Sequence, residues 1–365
     1  MEVIELFKHL IESKSETPDD GGLLDFITEY LSDFTAVRVD VEDVKNLFIY
    51  KKFGEGDHLC FAGHVDVVPA GKSWDTNPYE LVEKDGYLYG RGTQDMKSGV
   101  AAFTQAVREA ESFKGTLSLL FTSDEEGDAH YGTIKVLEYL EREALLPDFA
   151  VVAEPTCEQN FGDAIKVGRR GSINGYITLK GKQGHAAYPE KAINPIHKLA
   201  PILGAMAGVN LDEGDEFFSP SKFVITDIRS GMEVTNVTPN ELKMMFNVRN
   251  TTLTTQKEVR EFVDYHLEGL DYELKLTQGS YPFATDTNTK VVKNIDKAIE
   301  TITGIKPKHS TAGGTSDARF MAPLGIKVIE FGVKNDSIHS VNERTTRKEV
   351  QDLCKVFKYL IKEWK

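Results

Sequence analysis

Residues 59–68, LCFAGHVDVV, form an apolar run that closes on His64 and Asp66, and the chain then repeats this alternation of apolar run and helical pattern. DMKSGVAAFTQAVREA at 95–110 and IKVLEYLERE at 134–143 have helical spacing, whereas LSLLFTSDEEG at 117–127 and FAVVAEPT at 149–156 are apolar runs that end on acids. Strands alternating with helices are the pattern of βαβ units in a parallel sheet. The pattern returns late, with KVIEFG at 327–332 followed by an amphipathic helix carrying Val350, Leu353, Phe357, Leu360 and Ile361 on one face. The fold class is therefore α/β, with a parallel sheet between helices.

Between these parts the rhythm changes. Residues 173–179 alternate as a strand, Asn194 to Val209 form an apolar helical stretch, KFVITDI and LKMMFNV read as strands, QKEVREFVDYHLEGL as a helix and YELKL as a strand. That βαββαβ order is the ferredoxin-like α+β unit. The expected organisation is a larger domain built from residues 1–171 and 285–365, with 172–284 inserted into it.

With 365 residues and 40% apolar content the chain can bury full cores, and 365 residues suffice for two domains. Its formal charge of −14 argues against binding nucleic acid or an anionic membrane, both of which need basic surface. An anionic ligand must instead meet a local cationic pocket. MEVIELFKHLIES reads as an amphipathic helix without a signal peptide's basic start, so a cytoplasmic location is expected. Cys60, Cys157 and Cys354 are far apart and form no CxxC, which leaves His and carboxylates as the available metal ligands.

In open parallel sheets ligands bind beyond the carboxyl ends of the strands. His64 and Asp66 close one strand, Asp124, Glu125 and Glu126 a second, and Glu154 a third; Asp95 opens a helix and His339 follows the last strand. Singly, a strand-end His is a packing residue and an acidic run a solvated loop. Their joint placement at one sheet edge raises them to candidates. Because residues two apart on a strand share a face, Asp66 is expected to hold one nitrogen of the His64 imidazole while the other faces a metal.

FAGHVDVVP, DGYLYGRGTQDMKSG, TSDEEG and AEP, in this order and spacing, resemble the metal-binding motifs of the M20 family of zinc aminoacylases and carboxypeptidases. VGRRGS, GHAAYP, DEFF, NVTP and GGTSDARF resemble its desuccinylase branch. The resemblance implies a zinc-peptidase-like catalytic domain with a mixed, mainly parallel sheet between helices, an inserted dimerisation domain, and a homodimer. It implies two zinc ions per subunit; nitrogen and oxygen ligands do not by themselves exclude cobalt or manganese in the same place. Asp95 would bridge them, His64 and Glu154 would complete one site, and Glu126 and His339 the other. It also implies a cis peptide after Asp95, Glu125 as general base and acid for the attacking water and departing amine, and Asp66 as an orienting carboxylate.

For the substrate, the resemblance points to Arg169, Ser172, Tyr188, Asn236, Arg249, Gly314, Thr315, Ser316 and Asn335. Arg suits carboxylates because its planar fork makes paired hydrogen bonds. Lys166 reads instead as a surface ion-pair residue. His185, in GHAAYP, matches a family His that reaches the partner's active site and stabilises the oxyanion, whereas His58 and the other histidines read as packing or surface residues. The implied reaction is hydrolysis of N-succinyl-LL-2,6-diaminopimelate to succinate and LL-2,6-diaminopimelate. An acetylornithine deacetylase or dipeptidase of the same family is the competing reading, and a non-catalytic metal-binding dimer a third. No GxSxG elbow or cysteine motif supports covalent catalysis.

Overall fold

The computed structural model describes residues 1–364, which divide into two compact units: residues 1–168, 285–310 and 316–364 form the larger, residues 169–284 and 311–315 the smaller. In the larger unit an eight-stranded sheet runs in the order Thr35–Arg38, Asn46–Lys52, Gly115–Thr122, Asp57–His64, Phe149–Val152, Lys327–Glu330, Ala164–Lys166, Lys308–Ser310. The four strands from Gly115–Thr122 to Lys327–Glu330 are mutually parallel. The pairings at the Thr35 edge and between Lys327–Glu330 and Ala164–Lys166 are antiparallel, so the sheet is mixed and mainly parallel, as the resemblance implies.

Register decides where the chemistry falls. His64 lies opposite Thr122, Ala62 opposite Val152 and Val152 opposite Glu330, so the carboxyl ends of four neighbouring strands are nearly level. Residues 59–64 are buried without a break, the mark of a strand covered on both faces. The helix Lys97–Arg108 packs against Val3–Glu12 and Arg347–Lys362, with Phe61, Phe103 and Phe357 meeting between sheet and helices at ring distances of 5.1 and 6.0 Å. Gly99 makes this approach possible: a Cβ there would stand 2.4 Å from the Ala153 carbonyl oxygen, beside Glu154. Lys166 differs from its surface reading, being buried with Nζ donating to Ser310 Oγ at 3.2 Å.

The smaller unit carries a four-stranded antiparallel sheet, ordered Lys222–Ser230, Glu241–Arg249, Ser172–Lys180, Tyr272–Ser280. With helices Pro195–Met206 and Gln256–His266 between strands, this is the ferredoxin-like arrangement. Its strands bury alternate residues, and Ile173, Ile177, Phe223, Met244 and Phe246 pack with Leu199, Val259 and Val263 into its core. Residues 311–315 belong here because Thr311 Oγ1 donates to the Phe217 carbonyl at 2.5 Å and Arg169 Nη1 to that of Ala312 at 3.2 Å. No helix among the described residues is long and apolar enough to cross a membrane.

Candidate active site

His64, 1% exposed, is the last residue of its strand, and its Nε2 faces Asp95 Oδ1 at 3.1 Å and Glu154 Oε1 at 3.8 Å. The other oxygen of Asp95 faces His339 Nε2 at 3.4 Å, and that nitrogen lies 2.9 Å from Glu126 Oε1. One carboxylate therefore stands between two imidazoles, each with a further glutamate beside it. Ligand atoms of His64, Asp95 and Glu126 lie within 4.8 Å of one another, close enough to share a cation. The Asp95–Met96 peptide is cis, as the resemblance implies.

Asp66 departs from the expected arrangement. His64 Nδ1 donates to the backbone carbonyl of Asp66 at 2.8 Å, while the Asp66 carboxylate oxygen is 3.6 Å away. The strand ends at His64, so the two-residue period that would put both side chains on one face does not reach Asp66. Its other carboxylate oxygen accepts the Glu126 N–H at 3.2 Å, so this side chain orients the loop of the acidic pair. The tautomer is still fixed: with Nδ1 donating to a carbonyl, Nε2 is the free ligand nitrogen.

The electrostatics are those of crowded acids. Burial, then the charges of Asp317, Asp95 and Glu126, raise Glu125 well above the carboxylate range. Burial and the charge of Asp95 do the same to Glu154, and burial lifts Asp66 to about 6. Burial opposes ionisation of Asp95, but hydrogen bonds from His339 and His64 hold its carboxyl low. Hydrogen bonds to Asp95 and Glu126 raise His339 to about 10. Asp66, Asp95, Glu125, Glu126 and Glu154 thus outnumber the two imidazoles among them, and nitrogen and oxygen donors in this arrangement suit zinc-like divalent cations.

Three groups that the sequence reading left out support the site. Asp317 accepts from Thr133 Oγ1 at 2.6 Å and adds its charge beside Glu125. Glu343 is fully buried and takes the backbone N–H groups of Gly92 and Gln94 at 3.0 and 2.7 Å, and Arg91 is its ion-pair partner at 2.7 Å. Arg91 falls within DGYLYGRGTQDMKSG and Asp317 within GGTSDARF, but Glu343 lies in SVNER, which reads as a solvated turn; no periodicity marks it as buried.

The proposed substrate residues fall into several groups. In the smaller unit, Ser172 and Arg249 sit at the same end of adjacent strands, Arg249 exposed and Ser172 Oγ accepting from Asn247 at 2.9 Å. His185, Tyr188 and Asn236 cluster at one turn, where the Ala186 N–H donates to the Asn236 carbonyl at 2.9 Å and the rings of His185 and Tyr188 are 5.9 Å apart. Arg169 is only 7% exposed and directs Nη1 to the carbonyls of Ala312 and Gly314 at 3.2 and 3.4 Å, so it shapes the loop holding Gly314 and Thr315. In the larger unit, Ser316 gives its hydroxyl to the buried Glu330, and Asn335 is exposed with its N–H donating to the Cys157 carbonyl at 3.1 Å.

Fold and site together define an M20-type metallohydrolase: residues 60–363 match the model of peptidase family M20/M25/M40, and the chain belongs to that family. Among its relatives, the succinyl-diaminopimelate desuccinylase of Sulfurimonas denitrificans is 76% identical over 365 residues, covering 100% of both chains. The enzyme of that name from Nitratiruptor sp. is 66% identical over 364 residues, again covering 100% of both. Among solved structures, aminopeptidase PepT from Bacillus cereus aligns with a TM-score of 0.82 at 21% identity, covering 99% of this chain and 97% of that one. A dinuclear metal-binding peptidase of the M20 family from Bacillus subtilis aligns with a TM-score of 0.71 at 17% identity, covering 98% and 96%.

Proposed function

We propose that this chain hydrolyses N-succinyl-LL-2,6-diaminopimelate to succinate and LL-2,6-diaminopimelate, using two zinc ions and acting as a homodimer. The substrate is supported by relatives of that activity at 61–76% identity along essentially the whole chain. The chemistry is supported by one observation above others: Asp95 presents one oxygen to His64 and the other to His339. Asp95 would bridge the ions, with His64 and Glu154 on one side and Glu126 and His339 on the other. When bound, the ions would polarise the scissile carbonyl and lower the pKa of water at the site.

Glu125 lies beside this cluster, and burial with the charges of Asp317, Asp95 and Glu126 raises its pKa above the carboxylate range, as suits a group that both takes and gives a proton. It takes one from the attacking water and delivers it to the departing amine nitrogen. His185 is suited to donate to the oxyanion: its Nδ1 accepts the Ala187 N–H at 3.1 Å, which in the neutral ring puts the hydrogen on Nε2. In this reading that donor comes from the partner subunit. Arg249 anchors a substrate carboxylate.

The test compares zinc-loaded protein on N-succinyl-LL-2,6-diaminopimelate and on N-acetylornithine. A kcat/KM at least about tenfold higher on the succinylated substrate, roughly 1.4 kcal/mol in transition-state binding, is expected. Equal rates, or a preference for the acetyl substrate, refute the assignment.

A further inference from the structure

We propose that the buried Arg91–Glu343 ion pair is a clasp that presets Asp95 and His339, making Glu343 a positioning residue for the metal centre; this rests on the two-metal reading above. The Glu343 carboxylate is 0% exposed and all its acceptor capacity is directed at one loop. One oxygen accepts the N–H of Gln94 at 2.7 Å and of Asp95 at 3.2 Å; the other accepts Arg91 Nη1 at 2.7 Å and the N–H of Gly92 at 3.0 Å. The backbone of Asp95 is therefore pinned from a residue four positions after His339.

The link also runs the other way. Arg91, 2% exposed, directs Nη2 to the carbonyls of Ala70 at 3.3 Å and His339 at 3.4 Å, and its guanidinium lies 5.3 Å from the Trp74 ring. Gln94 adds a second tie, donating to Asp336 Oδ1 at 2.5 Å and the Arg344 carbonyl at 2.8 Å and accepting the Ser337 N–H at 2.9 Å. His339 itself has φ 58, a left-handed conformation that a non-glycine residue keeps only when its surroundings hold it. A buried ion pair is a poor device for stability alone, because desolvation offsets its attraction, but it fixes geometry well. Here it fixes the separation of two ligand loops.

Glu343→Gln keeps the shape but replaces an acceptor with an amide that must face N–H donors. Visible absorption during Co2+ titration reads the effect directly. We expect Co2+ affinity to fall by about tenfold or more, the ligand-field bands to shift, and kcat to fall with KM unchanged, in protein whose far-ultraviolet circular dichroism is that of wild type. Wild-type Co2+ affinity and bands in the folded variant overturn the clasp. Should Glu343→Gln not fold, Arg91→Lys decides: it keeps a positive charge for Glu343 but loses the fork that also reaches the Ala70 and His339 carbonyls, and unaltered Co2+ binding there overturns the proposal. If the wild-type protein binds no Co2+, the metal-centre reading falls first and the clasp with it.

Discussion

His58 offers a test of how the strand that delivers His64 responds to acid. It is the second residue of Asp57–His64, with Nε2 2.7 Å from Ser118 Oγ on the neighbouring strand. Burial is the main cause that lowers its pKa to about 4 from the ordinary 6.5; the charge of Asp148 and a hydrogen bond with the Leu146 backbone oppose it. Because the folded pKa is depressed, the unfolded chain binds the proton first. The neutral ring therefore contributes fully above pH 6.5, and that contribution is lost as the pH falls toward 4. The full difference corresponds to about 3 kcal/mol, of which about 2 kcal/mol is lost between pH 7.5 and 5.0. Asp66, at about 6, changes charge in the same range, so the measurement is a difference between proteins. Urea unfolding of wild type and His58→Gln, followed at pH 7.5 and 5.0, should show wild type losing about 2 kcal/mol more than the variant. Equal losses in both would mean that the imidazole titrates alike in folded and unfolded chains, and the argument from burial would fail.

Three further outcomes concern catalysis. Glu125→Gln should keep both metals while hydrolysis falls by about 10²–10⁴-fold, whereas His339→Ala should lose metal as well as rate; metal analysis and turnover on the same preparations separate them. Near-normal turnover in the first variant would remove Glu125 from proton transfer. Arg249→Ala should weaken productive use of the succinylated substrate by about 1.5–3 kcal/mol with metal content unchanged, and an equal loss on an uncharged acyl amide would count against carboxylate binding. Glu125→Gln and His185→Ala chains, refolded together, should recover roughly a quarter of wild-type activity, since half the random dimers are mixed and half their sites intact. No recovery after demonstrated chain exchange would refute donation of His185 to a partner's site.

Much of this molecule was legible because its signals are local. Apolar runs ending in His64, Glu125–Glu126 and Glu154 announce strands whose carboxyl ends carry the chemistry, and the sheet register brings those ends level. Alternation in residues 173–179 and 242–248 likewise marks strands with one covered face, as the smaller unit has. What escaped depends on where a strand stops or on partners far away in sequence. Asp66 was misread because a two-residue period was carried past the last strand residue. Glu343 and Lys166 are charged residues that sequence alone would leave in water, and only the donors and packing around them make burial tolerable. Residues 311–315 join the smaller unit through hydrogen bonds to Arg169 and Phe217, for which no pattern exists.

The level strand ends have a kinetic meaning. The contact between His64 and Asp95 spans 31 residues, but that between His339 and Glu126 spans 213, so its loop must close over most of the chain. The four strands of the smaller unit, by contrast, all lie within residues 172–280 and pair antiparallel. Non-local pairing in parallel sheets is intrinsically slow, because closure entropy is lost before contacts reward it. In a refolding chain the smaller unit's sheet should therefore gain structure early. With the ligand set proposed above, the ability to hold metal should arrive last, when the loop carrying His339 reaches the strand ends.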